Sequence, residues 1–383
     1  MLHDAKLFRL YIAVLVANLG LGMYMYFIPV FAQSLGATFF DLGLIGTAVA
    51  VTSALTPMFV GNLADRVNRA WLFTFALAIN ALATLALIFS HSVADVVMLR
   101  LVGGLALGFY YPTVEVVVSD LAPIDRRVKE MAWYSAASTI GLLVGPIVGG
   151  MIIQEFGFLR LFVFSSVILG FAFIQTIIWV VPSYPKRDIV APNFSGIMRT
   201  FRKLLPWYLM IGCYGIVYSV MTTIFPGYAN SIGVNTTLIG FLFGSFGLGR
   251  IFAYVTSERY VMLGEKKALL FASLLMAVGI VVVGVYPTFI VFLTAILVIG
   301  GSSGIVFPLT INLISRHYPE DKLGAAVGSY ESTVGVGQAV GPILAGVVAS
   351  VAGIKSSFLL TAFFAVLMAV FTIRGQKCLH PSF

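Results

Sequence analysis

The chain has 383 residues, of which 60% are hydrophobic and 10% charged, whereas a soluble globular domain is about 25% charged and less than half apolar. That composition excludes a water-soluble enzyme. The formal net charge of +8 does not call for nucleic acid as a partner, because the cations fall in short connections between apolar runs, where they orient a membrane protein.

A helical bilayer span needs about 20 apolar residues. Twelve such runs follow one another, at roughly 10–31, 42–60, 71–90, 95–118, 130–153, 159–181, 207–229, 238–257, 268–286, 288–314, 324–350 and 356–373. Stretches such as Leu72 to Ile88 and Ile280 to Ile299 lack the alternating polar face of a barrel strand, so the fold class is an all-α membrane protein. Met1 to Arg9 precede a run too long for a signal-peptide core, which reads as the first span. Of the 23 cations, Arg160 and Lys355 alone fall in connections on the side opposite residue 1, and Arg100 and Arg250 lie within spans. The bias predicts a multi-pass cell-membrane protein with both termini cytoplasmic. Cys213 lies in a span and Cys378 in the tail, so no disulfide framework is implied, and neither a cofactor nor a metal site is signalled.

In the first span Asn18, Tyr24 and Tyr26 sit at mid-membrane depth and are candidate substrate contacts. After the second span comes Gly61-Asn62-Leu63-Ala64-Asp65-Arg66-Val67-Asn68-Arg69. It resembles the loop signature Gly-x-Leu-Ala-Asp-Arg-x-Gly-Arg of the major facilitator superfamily, with Asn68 in place of the usual glycine. Either residue tolerates a left-handed turn. The resemblance implies a major facilitator fold of twelve helices in two pseudo-symmetric six-helix bundles. It also implies a conformational latch in which Asp65, Arg66 and Arg69 gather at Asp120, at the cytoplasmic end of span four, and lock the halves on that side.

In span four, Arg100, Gly104, Tyr111 and Glu115 form one stripe at helical spacing, expected to line a central cavity. An arginine at this depth costs roughly 2.5 to 3.5 kcal/mol unless it faces protein or water. The family's span-four signature also has an arginine followed by glycines, and by that resemblance Arg100 handles protons or attracts anions. The alternative is a structural bond to backbone carbonyls. In span five, Gly141, Gly145, Pro146, Gly149 and Gly150 put small residues at a spacing that lets helix backbones approach closely. The pattern resembles the signature of the exporter branches, drug-proton antiporters above all.

The long polar connection at 182–206, a cytoplasmic linker, divides an N-terminal bundle at 1–181 from a C-terminal bundle and short tail at 207–383. Gly104, Gly108, Pro112, Pro123, Asp125, Tyr134, Gly141, Gly145, Pro146 and Gly150 recur 196 positions later as Gly300, Gly304, Pro308, Pro319, Asp321, Tyr330, Gly337, Gly341, Pro342 and Gly346. Pro29, Ser34 and Gly36 recur 197 positions later as Pro226, Ser231 and Gly233. Each half has an even number of spans, so the repeats run parallel about an axis along the membrane normal, an arrangement that places substrate near the midplane.

In the second half Tyr214 and Tyr218 of span seven, Asn312 of span ten and Gln338 of span eleven are further candidate contacts by depth. A cavity rich in Tyr, Phe and Met suits amphipathic or lipophilic ligands. Arg250 in span eight is near enough to the surface to snorkel. Glu331 in span eleven and Glu115 in span four are the candidate proton-coupling residues, since carboxylates at this depth can load and release a proton.

Gly301-Ser302-Ser303-Gly304 fits the Gly-x-Ser-Gly of rhomboid-type intramembrane proteases, but such a serine needs a base. His3, His91, His317 and His380 all fall in tails or loops. No phosphate-binding loop is present to take ATP. The sequence therefore reads as a secondary active transporter, expected to couple proton entry to efflux of lipophilic or drug-like compounds. Proton-coupled uptake of an organic anion held by Arg100 is the alternative, and a non-transporting receptor or sensor is the reading from another class. The expected partners are a small-molecule substrate, protons or another coupling ion, and the lipid bilayer. Both halves lie on one chain, which is expected to function as a monomer.

Overall fold

The computed structural model describes residues 2–64, 68–123, 126–184, 204–256, 259–260, 262, 264–317 and 323–379. Among these the backbone is helical nearly throughout and contains no strand, as lipid demands, because a helix satisfies its own N–H and C=O groups. The helices are α1 (Leu2–Met25), α2 (Ile28–Ser34), α3 (Phe39–Ala64), α4 (Arg69–Ala86), α5 (Val93–Leu121) and α6 (Arg127–Gln175), then α7 (Leu205–Ser231), α8 (Thr236–Val255), α9 (Glu265–Val285), α10 (Phe289–Ser315), α11 (Leu323–Ala352) and α12 (Ile354–Leu379). The first span breaks into α1 and α2 ahead of Pro29, which occupies the first turn of α2, where its missing N–H costs nothing.

Eleven segments of the described residues are long and apolar enough to cross a membrane. One of them, Lys129–Val180, has 52 residues and holds two spans, because α6 is interrupted at Gly157, whose φ is +81°. That makes twelve candidate crossings among the described residues. Gly353, which separates α11 from α12, has φ +84° and lies 196 positions after Gly157; Gly36 and Gly233, at φ +90° and +87°, are likewise one repeat apart. Asn68 makes no left-handed turn: its φ is −58° and its side chain accepts the Ala70 N–H, capping α4. A capping asparagine meets the need to start a helix without the conformation that a glycine would allow.

The chain forms two compact units. The first comprises residues 1–37, 48–189 and 233–244. In it α1 packs along α6, and α4 packs on α5 and α6. A Cβ on Gly141, Gly145 or Gly149 would fall less than 3.0 Å from the carbonyl of Leu15, Leu19 or Met23, so these three glycines set the depth at which α1 and α6 meet. Gly104 and Gly108 do the same for α5 against Val49 and Ser53 of α3.

The second unit comprises residues 38–47, 190–232 and 245–383. Here α7 packs on α11 and α12, and α9 on α10 and α12. Gly337 and Gly341 meet the carbonyls of Gly212 and Ile216, and Gly300 and Gly304 meet those of Phe246 and Arg250. Each contact is the partner of one in the first unit, shifted by 196 or 197 positions, so the repeat in the sequence is a repeat of packing. The short exchanged segments obey it too. In the first unit Gly150 abuts Thr236 and Gly240 abuts Pro146; in the second Gly346 abuts Phe39 and Gly43 abuts Pro342. Large apolar side chains such as Leu82, Phe89, Ile290 and Val351 are exposed, which suits a lipid-facing surface.

Candidate functional site

In the first unit α1, α4 and α5 surround a polar cluster. Asn18 is fully buried on α1; its Nδ2 donates to the Val14 carbonyl and to the Tyr110 hydroxyl, both at 2.9 Å. The Tyr24 hydroxyl donates to Asn80 Oδ1 at 3.5 Å. Arg100, 8% exposed, borders a cavity of about 10 Å³ together with Tyr24, Thr84, Leu99 and Gly103, room for a single water. Asn18 Oδ1, Thr84 Oγ1 and Arg100 Nε are buried without a partner. The span-four stripe is thus shared among neighbours: Arg100 turns toward α1 and α4, while Gly104 is pressed on α3. Tyr111 lies edge-on to Tyr110 at 5.0 Å and is half-buried, and Glu115 is exposed. Tyr26 stacks on Phe243 with ring centroids 4.1 Å apart.

In the second unit Tyr214 is buried, and its hydroxyl shares a hydrogen bond of 2.6 Å with Ser303. Its ring stacks on Tyr218 at 6.0 Å and meets Phe307 at 6.2 Å. Arg250 belongs to this cluster: its Nη2 donates to Tyr254 at 3.0 Å. The arginine and tyrosine stand one helical turn apart, a spacing present in the sequence but readable only once the direction of α8 toward α7 is known. Asn312 and Glu331 are exposed and Gln338 is half-buried. Asn80, Thr84, Ser303 and Tyr254 are the polar members that depth alone did not single out. The i, i+4 pair Asn80 and Thr84, inside an apolar run, was the available signal.

At one end of the first unit Arg69 Nη1 bonds Asp120 Oδ2 at 3.0 Å, and the Tyr184 hydroxyl donates to the same oxygen. The Tyr184 phenol is pushed up to about 12 by burial and then by the Asp120 carboxylate. Three chain segments are tied there: the start of α4, the end of α5 and the residues after α6. Asp65 and Arg66 of the expected latch lie outside the described residues, as do residues 185–203 of the linker. The expected packing residues Gly141, Gly145, Pro146, Gly149, Gly150, Gly337, Gly341 and Pro342 all lie at the close helix contacts described above. No group of His, Cys, Asp and Glu suited to a metal ion occurs among the described residues.

Comparison with known proteins agrees with this architecture. The chain is 23% identical over 360 residues to the quinolone resistance protein NorA of Staphylococcus aureus, covering 90% of this chain and 89% of that protein. It is 21% identical over 382 residues to an uncharacterised MFS-type transporter of Methanocaldococcus jannaschii, covering 96% and 97%. The crystal structure of the peptide transporter POT superposes with a TM-score of 0.80 at 14% identity, over 97% of this chain and 94% of that one. The family model of the Major Facilitator Superfamily matches residues 10–261 and 207–377. With apolar helices, a duplicated glycine-packed core and a full-length family match, the chain belongs to the major facilitator superfamily and is a multi-pass membrane transporter of a small molecule, not an enzyme.

Proposed function

We propose that the protein is a proton-coupled exporter of lipophilic or drug-like organic compounds, working by alternating access. The reading is carried by similarity to a drug-resistance protein along nine-tenths of the chain, and the aromatic clusters around Tyr26 and Tyr214 offer the adaptable surfaces such ligands need. Glu331 and Glu115 load and release the coupling proton. The Arg69–Asp120–Tyr184 cluster stabilises one end of the conformational cycle, with both termini cytoplasmic in the cell membrane, and a single chain suffices.

Proteoliposomes loaded with ethidium test the reading. An inward proton gradient accelerates dye release several-fold over empty liposomes; equal release with and without protein, in either gradient direction, overturns it. Glu331→Gln abolishes the gradient-driven component while keeping dye exchange at equal pH. Gradient-driven release that survives this change assigns coupling to Glu115 instead, which Glu115→Gln then checks.

A further inference from the structure

We propose that Arg250 receives the acidic group of an aromatic substrate, a carboxylate attached to a planar ring system whose body lies against the tyrosines of the second unit. The proposal rests on the reading of the chain as a carrier of drug-like compounds and adds aromatic acids and zwitterions to that class.

The guanidinium is surrounded by groups that accept hydrogen bonds but carry no compensating charge. Tyr254 accepts from Nη2, and the guanidinium carbon stands 5.9 Å from that ring's centroid. Tyr214 and Tyr218 are its other electrostatic neighbours. No carboxylate pairs with Arg250 among the described residues, and its Nε is buried without a partner. A cation held this way carries an uncompensated desolvation penalty, and its guanidinium offers the paired N–H groups with which arginine grips a carboxylate.

The surroundings suit a flat apolar body. Tyr218 stacks on Tyr214 and approaches Phe246 at 6.1 Å, while Tyr214 leans on Phe307. Tyr214 and Ser303 form a closed floor, being 3% and 1% exposed. Arg250, Tyr218, Tyr254 and Phe307 are only half-buried, which leaves part of the guanidinium and of these rings accessible. The place is fixed by helix packing, because Gly304 lets α10 approach the backbone of Arg250 itself. Arg100 is the other intramembrane arginine with an orphaned Nε, but its cavity of about 10 Å³ has no room for a ring.

The test compares two probes built on one ring system, the charged naphthalene-2-carboxylate and the neutral naphthalene-2-carboxamide, by calorimetric titration of the full chain in phosphatidylcholine nanodiscs. The acid binds at least about tenfold tighter than the amide, as expected for a charge-assisted fork. Arg250→Gln removes the preference for acid over amide, and Arg250→Lys reduces it several-fold because the fork is lost. Equal binding of acid and amide by the natural protein overturns the proposal, whatever the variants do. Preference that survives Arg250→Gln also overturns it. If phosphatidylglycerol in the nanodisc abolishes the preference, the position belongs to a lipid headgroup and the substrate assignment falls. Failure of ethidium efflux overturns the export reading and leaves the acid preference standing, so the two failures are distinguishable.

Discussion

Single side chains carry the polar chemistry of this chain, and their worth depends on which partners they find. Arg69 and Asp120 are 25% and 10% exposed, so Asp120→Asn leaves a half-buried guanidinium short of its charge partner and costs about 1–3 kcal/mol, read as a lower unfolding temperature in detergent. Tyr184 adds a pH dependence. Its phenol titrates at about 12 instead of the ordinary 10.0, so the fold favours the protonated form. That contribution is complete below pH 10 and is lost as pH rises through about 12. Tyr184→Phe flattens the fall of unfolding temperature across that window; an unchanged slope assigns the fall to other groups. Arg100 was visible in the sequence as a charge inside a span, but not the face it takes. A helix position is known from spacing only relative to its own helix, and Arg100 and Gly104, on one stripe, meet different neighbours.

At the scale of elements, small residues decide how close helices come. Gly149→Ala and Gly337→Ala each push a methyl group into a facing carbonyl, of Met23 and Gly212 respectively. Backbone cannot step aside as a flexible side chain can, so each substitution destabilises by about 1–3 kcal/mol. Gly170→Ala is the control: nothing lies within 4 Å of the added atom, and the change is neutral or stabilises by up to about 1 kcal/mol through helix propensity. Labelling of the buried Cys213 thiol during heating, in a Cys378→Ser background, reports all three. Equal midpoints for Gly149→Ala and Gly170→Ala would show that the α1–α6 contact is looser than described. The glycine motif was legible because its spacing matches the helix repeat, but its partner helix was not. Asn68 shows the same limit, since a residue compatible with a left-handed turn serves instead as a cap.

For the whole molecule, residues 38–47 belong to the second compact unit and 233–244 to the first, and the proposed transport cycle would make and break the packing of such segments. Thr47 Oγ1 donates to the Ala339 carbonyl at 2.7 Å within the second unit. Cross-linking Thr47→Cys to Ala339→Cys with a short thiol reagent is expected to stop ethidium release, and reductant to restore it; full release from the cross-linked protein would mean this contact persists throughout the cycle. The sequence by itself determined the helical class, the crossings and the duplication, because bilayer thickness, backbone hydrogen bonding and a fixed offset act along the chain. Only the tertiary structure decided that the starts of α3 and α8 join the unit formed mainly by the other repeat, and that Arg250 turns inward to tyrosines. Both outcomes depend on surfaces far apart in the chain meeting in space, which no local period encodes.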